Sequence, residues 1–517
     1  MVSLKKALEC VKGCVAAVLA RPAVEAACAR HGHHWHNGPL DPPHTVELMV
    51  RQVAEGNVSG AEVVRLAGGH FTESAWCQAR QRLPLAVLQE LAGQVRQRLT
   101  DAYRPEAPER AEPKESGEAK EAKEAGGSAG FTWRGHRVAL VDASNFSMPD
   151  TPELRGHFGE VPGQKPGCGF PLAHWLAAFD LHTGLLLFHR ASPYGTADLK
   201  HTPEAHQAVA ALLGPQPRPG EREPGEREPE VIALGDDSFS GYGHLALLRE
   251  AGMHAVVPAH HARRVDFTAG RPGGPDAPKG RPRSRWVRSL GRDDQVVELA
   301  KPQQRPKWLN KERYDALPEK MQVREIRRTV RRKGFRPRVI TVVTTLLDAE
   351  LYPADEVVAL RERRWDVETD IRHLKTTMGM EVLKSQTVQG VLKELEVFGL
   401  LYNLVRGVML ESAIRQKKSP TRLSFADALA WVRHAEPGHA WPKLKVVKAR
   451  PGRCEPRAVK RRPKPFDLMN RPRDEMRERA KQKQDAEQEK KTQKAKKTKE
   501  AKKTTNRKIV NTTTKAA

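Results

Sequence analysis

Cysteine is sparse and unpaired in this 517-residue sequence: the six at Cys10, Cys14, Cys28, Cys77, Cys168 and Cys454 form no CxxC pair. Such spacing excludes a disulfide scaffold and a zinc ribbon, and the thiols read as reduced in the cytoplasm. Long uncharged apolar runs are missing too. The N-terminal stretch MVSLKKALECVKGCVAAVLA imitates a signal peptide, but Glu9 and Lys12 interrupt it, so an amphipathic helix is expected. The most apolar later run, VFGLLYNLVRGVMLESAI from Val397, carries Asn403 and Arg406 and reads as a buried core helix and not a membrane span. The cluster HGHHWH (His31, His33, His34, His36) lacks paired cysteines and zinc-ligand spacing, which argues against a metal site there.

Acid is in deficit. The chain carries 63 Asp+Glu against 89 Lys+Arg, a net charge of +26, and nucleic acid is the commonest partner of such a field. Residues 471–517 hold 17 Lys/Arg and 7 Asp/Glu, a net +10, so +16 remains on the rest. The folded part is itself basic.

Three segments lack periodic apolar residues. RPEAPERAEPKESGEAKEAKEAGGSAG (104–130) reads as a disordered linker, GPQPRPGEREPGEREPE (214–230) as an exposed loop, and 471–517 as a disordered Lys-rich tail. Between them lie a helical block 1–103, a central block and a basic region 416–470, with RAVKRRPKPFDLMNRPR near 457–473 as an extended basic arm. In the first block SGAEVVRLAGG and FTESAWCQARQRLPLAVLQELAGQV suggest a helix–turn–helix. Gly68–Gly69 would form its turn, and Thr72 or Ser74 would cap a helix presenting Gln78, Arg80, Gln81 and Arg82 to DNA.

The central block opens with HRVALVDASNFSMPD, an apolar strand pattern ending on Asp142. PLAHWLAAFD and GLLLFHRASPY follow as a hairpin joined by LHT, then VIALGDDSFSGYGHLALLREAG, a strand ending in Asp236 and Asp237 before an amphipathic helix, then the strand MHAVVPAH. These elements predict an α/β fold with a mixed sheet and acids at its strand ends, where ligand and metal sites lie. Asp150, with Glu153 three residues on, reads as a helix N-cap.

A third acid comes from RRWDVETDIRHLKTTMGM. At about 100° per residue, Arg361, Arg364, Glu368 and Lys375 fall within about 60° of one another on a helix, while Asp370 lies about 200° from Glu368. A solvated face usually pairs its charges. Here Arg361, Arg364, Arg372 and Lys375 outnumber Glu368 and call for an anion such as DNA phosphate. If the fold brings Glu368 against Asp142 and Asp236, the three carboxylates suit two hard divalent cations, Mg2+ or Mn2+, and phosphoryl transfer.

The stretches VDASNFSMPDTPE, VIALGDDSFSGY and RERRWDVETDIRHLKTTMGM resemble the bacterial cut-and-paste DDE transposases of the insertion-sequence-four type, over most of residues 30–465. The signature Y-x2-R-x3-E-x6-K falls on Arg364, Glu368 and Lys375, with Arg361 in the tyrosine position and Asp237 where relatives usually carry a basic residue. The resemblance implies a ribonuclease-H-like core in two parts, 131–260 and 338–415, split by a β-rich insertion, 261–337. It implies catalytic Asp142, Asp236 and Glu368 and a phosphate grip from Arg364 and Lys375, with Arg361 able to hold a phosphate in the tyrosine's place but not by ring contact. It also implies double-stranded DNA partners (terminal inverted repeats and target) and a homodimer assembled on DNA ends. In relatives a tryptophan of the insertion stacks on a flipped base, for which Trp286 and Trp308 are candidates. Two other readings remain: a catalytically silent, transposase-derived DNA-binding protein, and a metal-dependent nuclease using Glu381 and Lys384.

Overall fold

The computed structural model describes residues 11–12, 15–104, 131–161, 168–214, 231–275, 277, 279–331, 336–434, 441–447, 471–490 and 492–493. Nearly all of the linker 104–130, the loop 214–230 and the basic arm near 457–473 therefore lie outside the described residues, as do Cys10, Cys14 and Cys454. The chain divides into two units, residues 1–159 with 171–456, and residues 160–170 with 457–517.

The first unit is mixed α/β. Its strands are β1 Arg137–Ser147, β2 Leu172–Asp180, β3 Leu186–Pro193, β4 Val231–Leu234, β5 Met253–Pro258, β6 Arg285–Gly291, β7 Asp294–Ala300, β8 Lys320–Val330 and β9 Arg338–Thr344. They form one nine-stranded sheet in the order β3-β2-β1-β4-β5-β9-β8-β7-β6. The pairs β1–β4 and β4–β5 are parallel; the others are antiparallel. β2 and β3 form the expected hairpin. β4 reads VIAL and is buried at every position, as a strand covered on both faces must be. Within 261–337, β6 to β8 make no sheet of their own. β9 offers a free edge beyond β5, and β8, β7 and β6 continue its ladder in turn.

Helices α1 Arg21–Arg30, α2 Pro42–Ala54, α3 Gly60–Leu66, α4 Glu73–Arg82 and α5 Leu85–Ala102 precede the sheet. α2 and α5 pack on the 29-residue helix Val388–Gln416, and their apolar residues join the same core as the sheet. The helix Val388–Gln416 is long and apolar enough to cross a membrane, but 94% of its most apolar window is buried inside this unit. Its two polar interruptions are satisfied there. Asn403 accepts from Leu186 N (2.8 Å) and donates to Leu186 O (2.9 Å). Arg406 donates to Tyr402 Oη (2.9 Å) and to the buried Asp370.

In the second unit residues 473–490 are helical, where the sequence suggests a disordered tail. Good helix formers dominate this segment, and Arg471–Glu475 and Arg477–Asp474 pair at helical spacing.

Candidate active site

Parallel pairing of β1 with β4 ends at Leu140↔Leu234, so Asp142 and Asp236 each stand two residues past the last paired position of adjacent strands. β1 itself does not end on Asp142. It continues to Ser147, paired with β2 alone, so Asp142 sits inside a strand whose other neighbour has stopped. The gap next to it is open to a side chain from elsewhere.

Asp236 leaves β4 and caps the turn Asp237–Ser240, its Oδ1 accepting from Ser238 N (2.9 Å) and Ser238 Oγ (2.6 Å). These two bonds fix the carboxylate's direction. Burial pushes the Asp142 carboxyl above its ordinary pKa; Arg364 and the Ala143 amide oppose that shift, and the Asp236 charge adds to it. The parallel register of β1 on β4 places the two acids past the ends of neighbouring strands.

The third acid arrives on the helical run that begins with Ala354–Glu362. That run is not uniform: a 3-10 turn at Arg363–Trp365 precedes the α-helix Asp366–Arg372, and a π-helical turn spans His373–Thr377. Arg364, with only 14% of its side chain exposed, donates from Nη1 to Asp142 Oδ2 (2.9 Å) and from Nη2 to Glu368 Oε1 (3.3 Å). One guanidinium thus spans two of the acids. Lys375 Nζ donates to Ser144 Oγ (3.2 Å) and Asn145 O (2.8 Å), seating the π turn on β1 beyond Asp142.

The predicted basic strip is only partly a free surface. Arg364 and Lys375 are committed to β1, and Arg361 is partly buried, its pKa lowered by desolvation and by Arg338 and Arg364 while Asp237 opposes. Arg372 is exposed. Asp370 faces the other way, buried against Arg406; burial pushes its pKa up to about 6 although Arg406 opposes the shift. The helical wheel puts Lys375 on the Glu368 face without showing that β1 lies opposite it.

On the N-terminal helices Gly68 and Gly69 take φ of +80° and +77° between α3 and α4, a left-handed turn that favours glycine. Thr72 caps α4 by accepting from Ala75 N (3.1 Å). Gln78, Gln81 and Arg82 are exposed. Arg80 is not free, since its Nη2 donates to Ser385 Oγ (2.8 Å). Asp150 is no helix cap: Thr151 accepts from Leu154 N (3.3 Å), and Asp150 pairs with Arg155. Trp308 packs against the Tyr242, Leu309 and Tyr314 cluster, and Trp286 is half-buried on β6. The exposed tryptophan near the acids is Trp365, 54% accessible with the Arg364 guanidinium 5.8 Å from its ring, and no sequence signal singled it out.

Whether the acids suit hard cations turns on their donors. Asp142, Asp236 and Glu368 offer carboxylate oxygens alone, and Arg364 already bridges two of them as a cation. An all-oxygen anionic set bound in this way fits a divalent ion of the magnesium class.

A sequence family described as Transposase DDE domain matches residues 133–404, just over half of the 517-residue chain. The chain is 26% identical over 353 residues to the Transposase InsG for insertion sequence element IS4 of Escherichia coli (strain K12), covering 64% of this chain and 69% of that protein. Among solved structures, the cryo-EM piggyBac transposase synaptic complex with hairpin DNA is similar with a TM-score of 0.38 and 9% identity, over 84% of this chain and 80% of that one.

Proposed function

The chain belongs to the DDE transposase family and is a DNA transposase of the IS4 type, a metal-dependent enzyme of DNA cleavage and strand transfer, and from that premise we propose that Asp142, Asp236 and Glu368 are its catalytic carboxylates. The observation that carries the proposal is Arg364, whose single guanidinium holds Asp142 and Glu368 while Asp236 occupies the equivalent position on the next parallel strand. The order β3-β2-β1-β4-β5, an antiparallel meander followed by two parallel strands, supports a ribonuclease-H-like core.

Two divalent cations, Mg2+ or Mn2+, held by these three acids would supply Lewis acidity and charge neutralisation at the scissile phosphate. The chain's own residues set the geometry. Ser238 orients Asp236, Arg364 orients Asp142 and Glu368, and Lys375 ties their helix to β1. A water, and afterwards the freed 3′-hydroxyl, displaces the leaving oxygen at phosphorus. Arg372 offers positive charge to DNA from the same helix, and Gln78 and Arg82 of α4 read the duplex. The partners are the inverted repeats at the element's ends and the target duplex, bound by two copies of the chain in the cytoplasm.

The test is cleavage of a plasmid carrying the element ends in Mg2+. Alanine at Asp142, Asp236 or Glu368 abolishes cleavage and leaves end binding near wild type. Nicking at the ends by any of the three variants refutes the assignment.

A further inference from the structure

Among the described residues one group of histidines and acids brings three ligand atoms within 4.8 Å of one another: Asp237, His260 and His261. We propose that these three side chains bind a divalent transition cation of the zinc type, at a site separate from Asp142, Asp236 and Glu368.

The donor set is the first argument. Two imidazoles and one carboxylate suit zinc and its neighbours, whereas magnesium prefers oxygen alone. Three protein ligands also leave a coordination position for water or an anionic oxygen.

Geometry is the second. With metal–ligand bonds of about 2.0–2.2 Å, a tetrahedral site separates its ligand atoms by about 3.3–3.6 Å. His261 Nδ1 lies 3.6 Å from Asp237 Oδ2. The His260 and His261 rings are 4.0 Å apart at centroid and tilted by 35°. Closing the remaining span asks little, since 81% of the His261 side chain is exposed.

The third argument is that the two segments bearing the ligands are already held together. Ser240 Oγ donates to Asp237 O (2.9 Å) and accepts from His260 N (3.1 Å). Arg263 Nη2 donates to Ser240 O (3.1 Å). The segment after β5 is thereby fixed to the turn that follows Asp236, before any ion binds. Two contacts oppose binding. His260 Nδ1 accepts from Ala262 N at 3.2 Å, a bond that ligation through Nδ1 exchanges and ligation through Nε2 keeps, and Arg361 also attracts Asp237. The consequence of occupancy is local: the cation would clamp the residue next to Asp236, so it would stiffen that acid's support without entering the carboxylate site.

The test uses the full chain stripped of metal by chelation and titrated with Co2+ in excess Mg2+, which fills all-oxygen sites without competing for imidazole. The expected result is one Co2+ per chain, with the visible ligand-field absorption of a low-coordinate nitrogen-ligated ion, displaced by Zn2+. His261→Ala leaves the fold intact because the side chain is exposed, and it lowers Co2+ affinity by more than the roughly 10–100-fold that losing an outer-sphere partner costs. His260→Ala and Asp237→Asn lower it likewise, while His34→Ala with His36→Ala leaves the spectrum unchanged. Absence of stoichiometric Co2+ binding, or a spectrum that survives in the His260→Ala/His261→Ala chain, overturns the proposal.

Discussion

Arg364 Nη1 lies 2.9 Å from Asp142 Oδ2, a bond between residues 222 positions apart in the chain. The same guanidinium reaches Glu368 at 3.3 Å. Burial raises the Asp142 pKa, and Arg364 is the strongest influence against that rise. Removing the guanidinium by Arg364→Ala therefore raises it further. In the chelated, metal-free chain the Asp142 carboxyl accordingly titrates at higher pH in the variant, and Arg364→Lys shifts it less. Stability follows the same sign. A carboxyl whose folded pKa is raised favours the fold below its unfolded pKa, near 3.9, and that contribution is lost as pH rises through the folded pKa. In Arg364→Ala the loss is larger and completes at higher pH, as thermal midpoints across a pH series will record.

The pair Arg137–Asp180 titrates in the opposite sense. Both side chains are almost fully buried, with Arg137 Nη2 and Nε at 2.6 and 3.0 Å from Asp180 Oδ2. Burial alone would raise the Asp180 pKa, yet Arg137, His182 and the Thr183 amide together hold it below the ordinary value. Asp180→Ala leaves a buried guanidinium unpaired and should cost about 3–5 kcal/mol. Asp180's contribution is present above the unfolded pKa near 3.9 and lost as pH falls through the lower folded value. Urea unfolding at neutral pH and below pH 4 will show the wild-type advantage over the variant shrinking in acid.

A third prediction concerns how the N-terminal helices meet the core. Asn57 Nδ2 donates to Glu394 Oε1 (2.5 Å) and to Val382 O (2.8 Å), and Glu394 also accepts from the Lys384 and Ser385 amides. Lys393 Nζ donates to the carbonyls of Arg80 and Gln81. Glu394→Ala orphans several of these donors. At about 1–3 kcal/mol for each buried donor left unsatisfied, the thermal midpoint falls, and proteolysis between Leu383 and Thr387 becomes faster. Glu394→Gln retains an acceptor oxygen and loses less.

The proposed acids stand out in the sequence because each closes a local pattern: Asp142 and Asp236 end apolar runs, and Glu368 sits among bases at helical spacing. Their support does not. The apolar strand pattern ends on Asp142, yet pairing with β2 carries β1 on to Ser147. Arg364's attachment to Asp142 is a tertiary event between residues far apart in sequence, and no periodicity announces it. Arg361 and Arg364 read as a free basic face because a wheel counts charges without knowing what lies opposite. The Asp237, His260 and His261 group was hidden for the same reason, since β5 and the turn after β4 meet only in the folded sheet.

Arg372 and Lys375 stand three residues apart on the Glu368 helix and separate two roles that the sequence merged. Arg372 is exposed, so its charge is available to DNA phosphate. Lys375 Nζ instead holds Ser144 Oγ and Asn145 O on β1, at the far side of Asp142. Arg372→Ala should thus weaken binding to element ends by a uniform factor and reduce the slope of log affinity against log salt by about 0.9, the signature of one lost phosphate contact. Its thermal midpoint should stay at the wild-type value, because that side chain is exposed. Lys375→Ala should do the reverse in kind: the midpoint falls by the equivalent of about 1–2 kcal/mol for a lost charge-assisted anchor, the salt slope is unchanged, and cleavage drops because the π turn no longer holds Glu368's helix against β1. Affinity over a salt series, with thermal melts on the same two proteins, resolves the pair. A lowered salt slope in Lys375→Ala with an intact midpoint would place that lysine on DNA after all, and would mean that its β1 contacts yield when the duplex arrives.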